Sequence, residues 1–235
     1  WDFKQYVLGM LVDRYISENL TNYINKGEWE AGNTDFDYAE LSDEEAIEIK
    51  DDMVQTKGFF ILPSELFQNV RKNAAKDKNL NETLERVFKN IEASTIGAKS
   101  EKNFKGLFDD IDVNSNKLGN TVEERNKKLV KILNAIGDMQ LGDVKNNSID
   151  AFGDAYEFLM TMYASNAGKS GGEFFTPQEV SELLARITVV GKEDVNKVYD
   201  PACGSGSLLL QFAKILGKDK VRIGFFRSEE RRVGK

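Results

Sequence analysis

The 235-residue chain has no histidine, a single cysteine, three prolines and no apolar run long enough to cross a membrane. Without histidine, the usual general base, histidine-dependent triads and most zinc sites are excluded, and no metal site is read from the sequence. Cys203 alone forms no internal disulfide, and the opening WDFKQYVLGM lacks the basic leader and unbroken apolar stretch of a signal peptide. A reducing, cytoplasmic setting is therefore expected. The net charge of -7 does not advertise nucleic-acid binding, and it does not exclude it, because a partner can carry the phosphate-binding charge. What is present, 40% hydrophobic and 30% charged residues, suits a soluble globular chain of one or two domains.

Residues 1 to about 165 read as helices joined by polar loops. In FKQYVLGMLVDRYI the residues Phe3, Val7, Met10, Leu11 and Tyr15 recur at spacings of three and four, which predicts one buried helical face. Ser42 with Glu45, and Thr121 with Glu124, have capping-box spacing, and Gly137 is placed to end the second of these helices. NETLERVFKNI stripes Leu84, Val87, Phe88 and Ile91, and SIDAFGDAYEFLMTMY stripes Ile149, Phe152, Tyr156, Leu159 and Tyr163. Such stripes are what a helix needs for core packing. The loop GEWEAGNTDFDY and the stretch GAKSEKNFKG are polar, a composition compatible with mobility in either.

The composition shifts at NAGKSGGEFFTPQEVSELLARI. The glycines between 166 and 172 form a flexible connector, and Thr176, Pro177 and Glu179 mark a helix start with Val180, Leu183, Leu184 and Ile187 as its apolar face. Taken alone this stretch also suits a plain linker, while Phe174 and Phe175 either staple the helix or wall a pocket. A strand VNKVYD, a loop PACGSGS, a helix SLLLQFAKILG and a strand KVRIGFF follow, the opening of a doubly wound α/β sheet. Ligands of such sheets lie beyond the carboxyl ends of the strands. Gly204-Ser205-Gly206-Ser207 lacks the third glycine of a dinucleotide fingerprint and the Lys of a P-loop. Asp200 at the strand tip disfavours a pyrophosphate and suits a cationic ligand such as S-adenosylmethionine; a plain Asp-capped turn is the structural alternative.

DPACGSGS resembles the first motif of amino-group DNA methyltransferases, and GGEFFTPQEV looks like the cofactor motif that precedes it in adenine methylases. With WDFKQYVLGMLVDRYISENL and GDAYEFLMTMYASNAGKSGGEFFTP, the chain is similar to the modification subunit of type I restriction-modification systems over residues 1 to about 226. The resemblance implies an α + α/β fold, with a helical domain over residues 1–165 and the beginning of a Rossmann-like methyltransferase domain over 166–235. It implies methyl transfer from S-adenosyl-L-methionine to N6 of adenine in DNA. The implied partners are DNA, a DNA-specificity subunit, a second modification subunit and, in the full complex, a restriction subunit.

Carried onto this sequence, the cofactor contacts implied by the resemblance fall on Glu173, Phe174, Phe175, Thr176, Pro177 and Gln178, and on Asp200, Gly204, Ser205, Gly206 and Ser207. Glu229 stands in register with the family's ribose-binding acid. Arg227 and Ser228 depart from the family pattern there, and residues 227–235 are set apart as candidate foreign sequence. Cys203 occupies a position where a small residue is common. The adenine-polarising Asn/Asp-Pro-Pro-aromatic segment is absent, since Pro63, Pro177 and Pro201 are the only prolines; no catalytic residue is assigned, and that segment is expected beyond residue 235. A non-catalytic assembly module that binds the specificity subunit or DNA is the alternative reading.

Overall fold

A computed structural model describes residues 4–139, 176, 178–201 and 207–227. The chain divides into two compact units, residues 1–159 and 160–235.

The first unit is helical. Helix α1 (Lys4–Glu30) is followed by short α2 (Asp43–Ala46) and α3 (Lys50–Thr56), then α4 (Phe67–Ala74), α5 (Leu80–Ser94), short α6 (Glu101–Phe104) and α7 (Val122–Asp138). Both capping boxes form as the sequence predicts: the Ser42 and Thr121 side chains accept from the Glu45 and Glu124 amides, and the glutamates answer the cap amides. The α5 stripe Leu84, Val87, Phe88 and Ile91 is buried, and Leu129, Leu133 and Ile136 of α7 join the core. The Phe88 ring stacks on Phe108 with centroids 4.4 Å apart.

Three details depart from the sequence pattern. The buried face of α1 contains Met10 and Leu11 as expected, but it runs on through Tyr6, Ile16 and Leu20, with Val7 and Tyr15 only half-buried; Phe3 lies outside the described residues. Gly137 does not end α7. It is helical, and its missing Cβ leaves room for Arg71, whose Nη1 would otherwise stand 2.2 Å from that atom. Arg14 caps this helix end instead, donating from Nη1 to the carbonyls of Ile136 at 2.5 Å and Met139 at 2.9 Å. The two polar stretches are pinned rather than loose. Trp29 Nε1 donates to the Phe36 carbonyl at 2.9 Å, the buried Tyr38 hydroxyl donates to Ile61 O at 2.7 Å, and Ser100 Oγ donates to the Gly58 carbonyl.

Along α1 runs a buried polar seam, Asp13, Ser17, Thr21 and Asn25, one residue per turn. Ser17 Oγ accepts the Phe67 amide at 3.1 Å, at the start of α4. Asn25 Oδ1 accepts the Tyr38 amide at 2.7 Å while its Nδ2 donates to Asp37 Oδ1 at 3.0 Å. Burial pushes the Asp13 carboxyl up to about 8, against the pull of its hydrogen bond with Ser17 and with a further push from Glu65. Asp13 is therefore a neutral acid through most of the physiological range.

The second unit contains α8 (Gln178–Val189), β1 (Val195–Asp200), α9 (Ser207–Leu216), a 3-10 turn (Lys218–Lys220) and β2 (Val221–Arg227). The strands pair in parallel, Val198 across from Phe225 and Asp200 across from Arg227, so β1, α9 and β2 make the βαβ unit read from the sequence. Gly217, at φ +93°, turns the chain out of α9. Ala185, Val198, Phe212 and Val221 form the core of this unit, with Leu208, Leu209 and Phe225 packed against it. The apolar face assigned to α8 is not the buried one. Val180, Leu183, Leu184 and Ile187 are 43–61% exposed, whereas Ser181 and Ala185 are fully buried. The small side chains let α8 approach α9 closely, and among the described residues nothing covers the larger ones.

Candidate functional site

The site is built where β1 gives way to α9. Along β1, side chains alternate: Val198 and Asp200 are buried, Tyr199 is 61% exposed. Val198 faces the core that holds Phe212 of α9, so Asp200, two residues on, lies on the helix-covered face at the carboxyl tip of the strand. The chain then spans Pro201 to Gly206, and Ser207 opens α9. A helix N-terminus presents amide groups without helical partners, which suits an anionic group such as a carboxylate. A buried carboxylate beside it suits a hydroxyl or a cation. This pairing of opposite polarities across one short loop fits a zwitterionic ligand with an amine at one end and a carboxylate at the other.

Of the residues named from the sequence, Thr176 is exposed two positions before the start of α8, Gln178 is the first residue of α8, Asp200 ends β1 and Ser207 begins α9. Glu173, Phe174, Phe175, Pro177, Gly204, Ser205, Gly206 and Glu229 lie outside the described residues, as does the stripe from Ile149 to Tyr163. The sheet register adds Arg227, placed across from Asp200, which the sequence marks only as a departure from the family pattern. Two buried polar side chains, Ser181 on α8 and Gln211 on α9, are not signalled by the motifs; each sits at a helical spacing where an apolar residue would be expected. Among the described residues, no helix is long and apolar enough to cross a membrane.

The strand, the acid at its tip, the glycine loop and the helix open an α/β domain, and residues 147–233 match the family described as N-6 DNA Methylase. Residues 1–136 match the HsdM N-terminal domain. The chain belongs to this family, that of the methylase subunits of type I restriction enzymes. It is 54% identical over 237 residues to the type I restriction enzyme MpnII methylase subunit of Mycoplasma pneumoniae, an alignment covering 98% of this chain and 44% of that protein. It is 37% identical over 97 residues to the MjaVIII methylase subunit of Methanocaldococcus jannaschii, covering 41% of this chain and 16% of that one. The crystal structure of the type I restriction-modification system methyltransferase subunit from Streptococcus thermophilus superposes with a TM-score of 0.77 at 28% identity, over 96% of this chain and 48% of that chain. This chain thus spans about half the length of the full-length relatives it matches.

Proposed function

We propose that the chain is part of a site-specific DNA methyltransferase subunit that uses S-adenosyl-L-methionine to methylate N6 of adenine, acting in the cytoplasm with a DNA-specificity subunit, a second copy of itself and a restriction subunit. The observation that carries the reading is the buried Asp200 at the carboxyl tip of β1, followed in the sequence by a glycine-containing loop and then by the amino end of α9. In this reading Asp200 holds the amino group of the methionine portion. Gly204, Ser205, Gly206 and Ser207 let the backbone approach it and offer amides to its carboxylate. Glu173, Phe174, Phe175, Thr176, Pro177 and Gln178 supply further cofactor contacts, and Glu229 takes the ribose hydroxyls. When bound, the cofactor supplies an activated methyl group. The chain's own residues bind and orient it.

The base-polarising step is not carried by residues 1–235, because no two prolines are adjacent and the Asn/Asp-Pro-Pro-aromatic segment is missing from them. The domain division proposed is 1–165 for the helical part and 166–235 for the methylase part, with 227–235 set apart. Limited proteolysis checks the division: a protected fragment ending between 165 and 172 supports it, and cleavage scattered through 1–160 removes it.

The cofactor site is tested by calorimetric titration of S-adenosylmethionine into a chain continued through the catalytic segment as in its relatives. Gly206→Leu is expected to abolish measurable binding by blocking backbone approach, with thermal unfolding of the helical unit unchanged. Equal affinity in the variant takes the loop out of the site. Activity is tested separately. Residues 1–235, mixed with the specificity subunit, tritiated cofactor and unmethylated DNA, are expected to leave no label in the DNA; label at N6 of adenine shows that the chemistry does not need the missing segment.

A further inference from the structure

A groove of about 810 Å³ runs between the end of α4 with the turn after it and the amino-terminal half of α7. Its floor is apolar, made by Ala74, Ala75, Val122 and Val130, and Val122 is 41% exposed. Its rim carries four lysines, Lys76, Lys78, Lys127 and Lys131. Of these, Lys127 is paired with Glu123 at 2.6 Å, while Lys76, Lys78 and Lys131 make no ion pair with a carboxylate among the described residues. The other lining carboxylate, Asp77, is already occupied by the Asn79 amide at 2.8 Å and Thr83 Oγ1 at 2.6 Å. The groove is rigidly built. The buried Asn126 of α7 accepts the Asn81 amide at 3.1 Å and donates from Nδ2 to the Lys78 carbonyl at 2.7 Å, so it ties one wall to the other.

The charge of the rest of the chain makes this groove a basic island. The stretch 28–52 alone holds eleven carboxylates and one lysine. An acidic partner is therefore favoured at the groove and repelled by the 28–52 stretch. We propose that the groove docks an acidic amphipathic helix of a partner protein, its apolar side chains on the alanine and valine floor and its carboxylates on the lysine rim. The inference stands on this helical unit alone and is independent of the cofactor reading. The floor decides between a protein and a nucleic acid. A duplex offers phosphates but no apolar side chains to bury, and none of the rim cations is an arginine, whose planar fork suits phosphate best.

The test uses the 235-residue chain and a fluorescein-labelled helical peptide with leucines on one face and glutamates on the other, read by fluorescence anisotropy at low salt. Saturable binding is expected, weakened roughly tenfold by Lys76→Glu/Lys78→Glu/Lys131→Glu and by scrambling the peptide at constant composition. Thermal unfolding checks that the triple variant is folded. Ala75→Glu, which sets a single carboxylate on an exposed alanine of the floor, gives a second reading if it is not. Absence of saturable binding overturns the proposal, as does equal binding of the scrambled peptide or of the variants. Displacement of the peptide by duplex DNA, with DNA binding lost in the same variants, reassigns the groove to nucleic acid and equally overturns it.

Discussion

The two units differ in how completely each accounts for its own surfaces. The helical unit buries most of its apolar pattern within itself: both capping boxes are made, the stripe Leu84, Val87, Phe88 and Ile91 of α5 is buried, and two polar side chains of α1, Ser17 and Asn25, meet partners from α4 and the Tyr38 segment. The sheet unit does not. Its two described strands make a βαβ step, and α8 turns small residues inward while four large apolar side chains face outward. A two-stranded sheet is marginal by itself, so the same chain holds one region whose stability is internal and another that depends on what is added to it.

The largest effect that bears on this comparison is a cavity in the self-sufficient unit. Leu84→Ala, at a position with no exposure, is expected to cost about 3–5 kcal/mol and to lower the melting of the helical unit sharply in calorimetry, without change in the sheet unit. A loss below about 1 kcal/mol means that the core is loosely packed and the contrast is overstated.

Next comes pH. Asp13 has a folded pKa of about 8 against 3.8 for the free side chain, so its neutral form is favoured by folding. The stability this gives is fully present below pH 3.8 and is lost as pH rises through 8. Denaturant titrations of the helical unit between pH 5 and 9 are expected to show this loss, roughly 2 kcal/mol across the range after relaxation around the new charge. Asp13→Asn should remove that part of the dependence. An unchanged slope in the variant assigns the pH effect elsewhere, Glu65 being the first candidate because burial raises its carboxyl too.

A smaller effect is expected at the amino end of α7. Thr121→Ala removes the acceptor for the Glu124 amide and half of the capping box, at about 1 kcal/mol by chemical denaturation. The smallest expected effect sharpens the other side of the comparison. Leu183→Gln, on the outward face of α8, should change stability by less than about 0.5 kcal/mol in residues 1–235, because that side chain is 57% exposed. In a longer chain in which that face is covered, the same substitution should cost several times more, and equal costs in both show that nothing packs there.

Much of this was legible in the residues, for identifiable reasons. Capping boxes and the strand, glycine loop, helix, strand order are local patterns, and local patterns survive folding: VNKVYD became β1 without a change of boundary. The α5 stripe was legible because its large apolar residues lie on one side. Failures came where a pattern needs a partner to have meaning. Periodicity says that Val180, Leu183, Leu184 and Ile187 share a face, and it cannot say whether anything lies against that face. The seam of Asp13, Ser17, Thr21 and Asn25 was hidden because its members are polar, and hydrophobic periodicity counts polar residues as surface. Gly137 was misread because a glycine near the end of a helical pattern signals a cap, while this one makes space for Arg71. At the candidate site, Asp200 and the start of α9 followed from the strand and helix patterns, and Arg227 beside Asp200 emerged only from the parallel register.

The fastening of α1 also sets an order of events during synthesis. Tyr6 donates to the carbonyl of Asp112, 106 residues later, and Arg14 reaches carbonyls 122 and 125 residues downstream at the end of α7. Helix α1 is therefore completed only after the elements that follow it, and it waits with Met10, Leu11 and Leu20 uncovered until the chain has been made past residue 139. During that interval the polar seam has a second use: an α1 that carries Asp, Ser, Thr and Asn once per turn is a poorer partner for other nascent apolar surfaces, so Ser17 and Asn25, which fasten α4 and the Tyr38 segment in the finished fold, also help keep the waiting helix soluble.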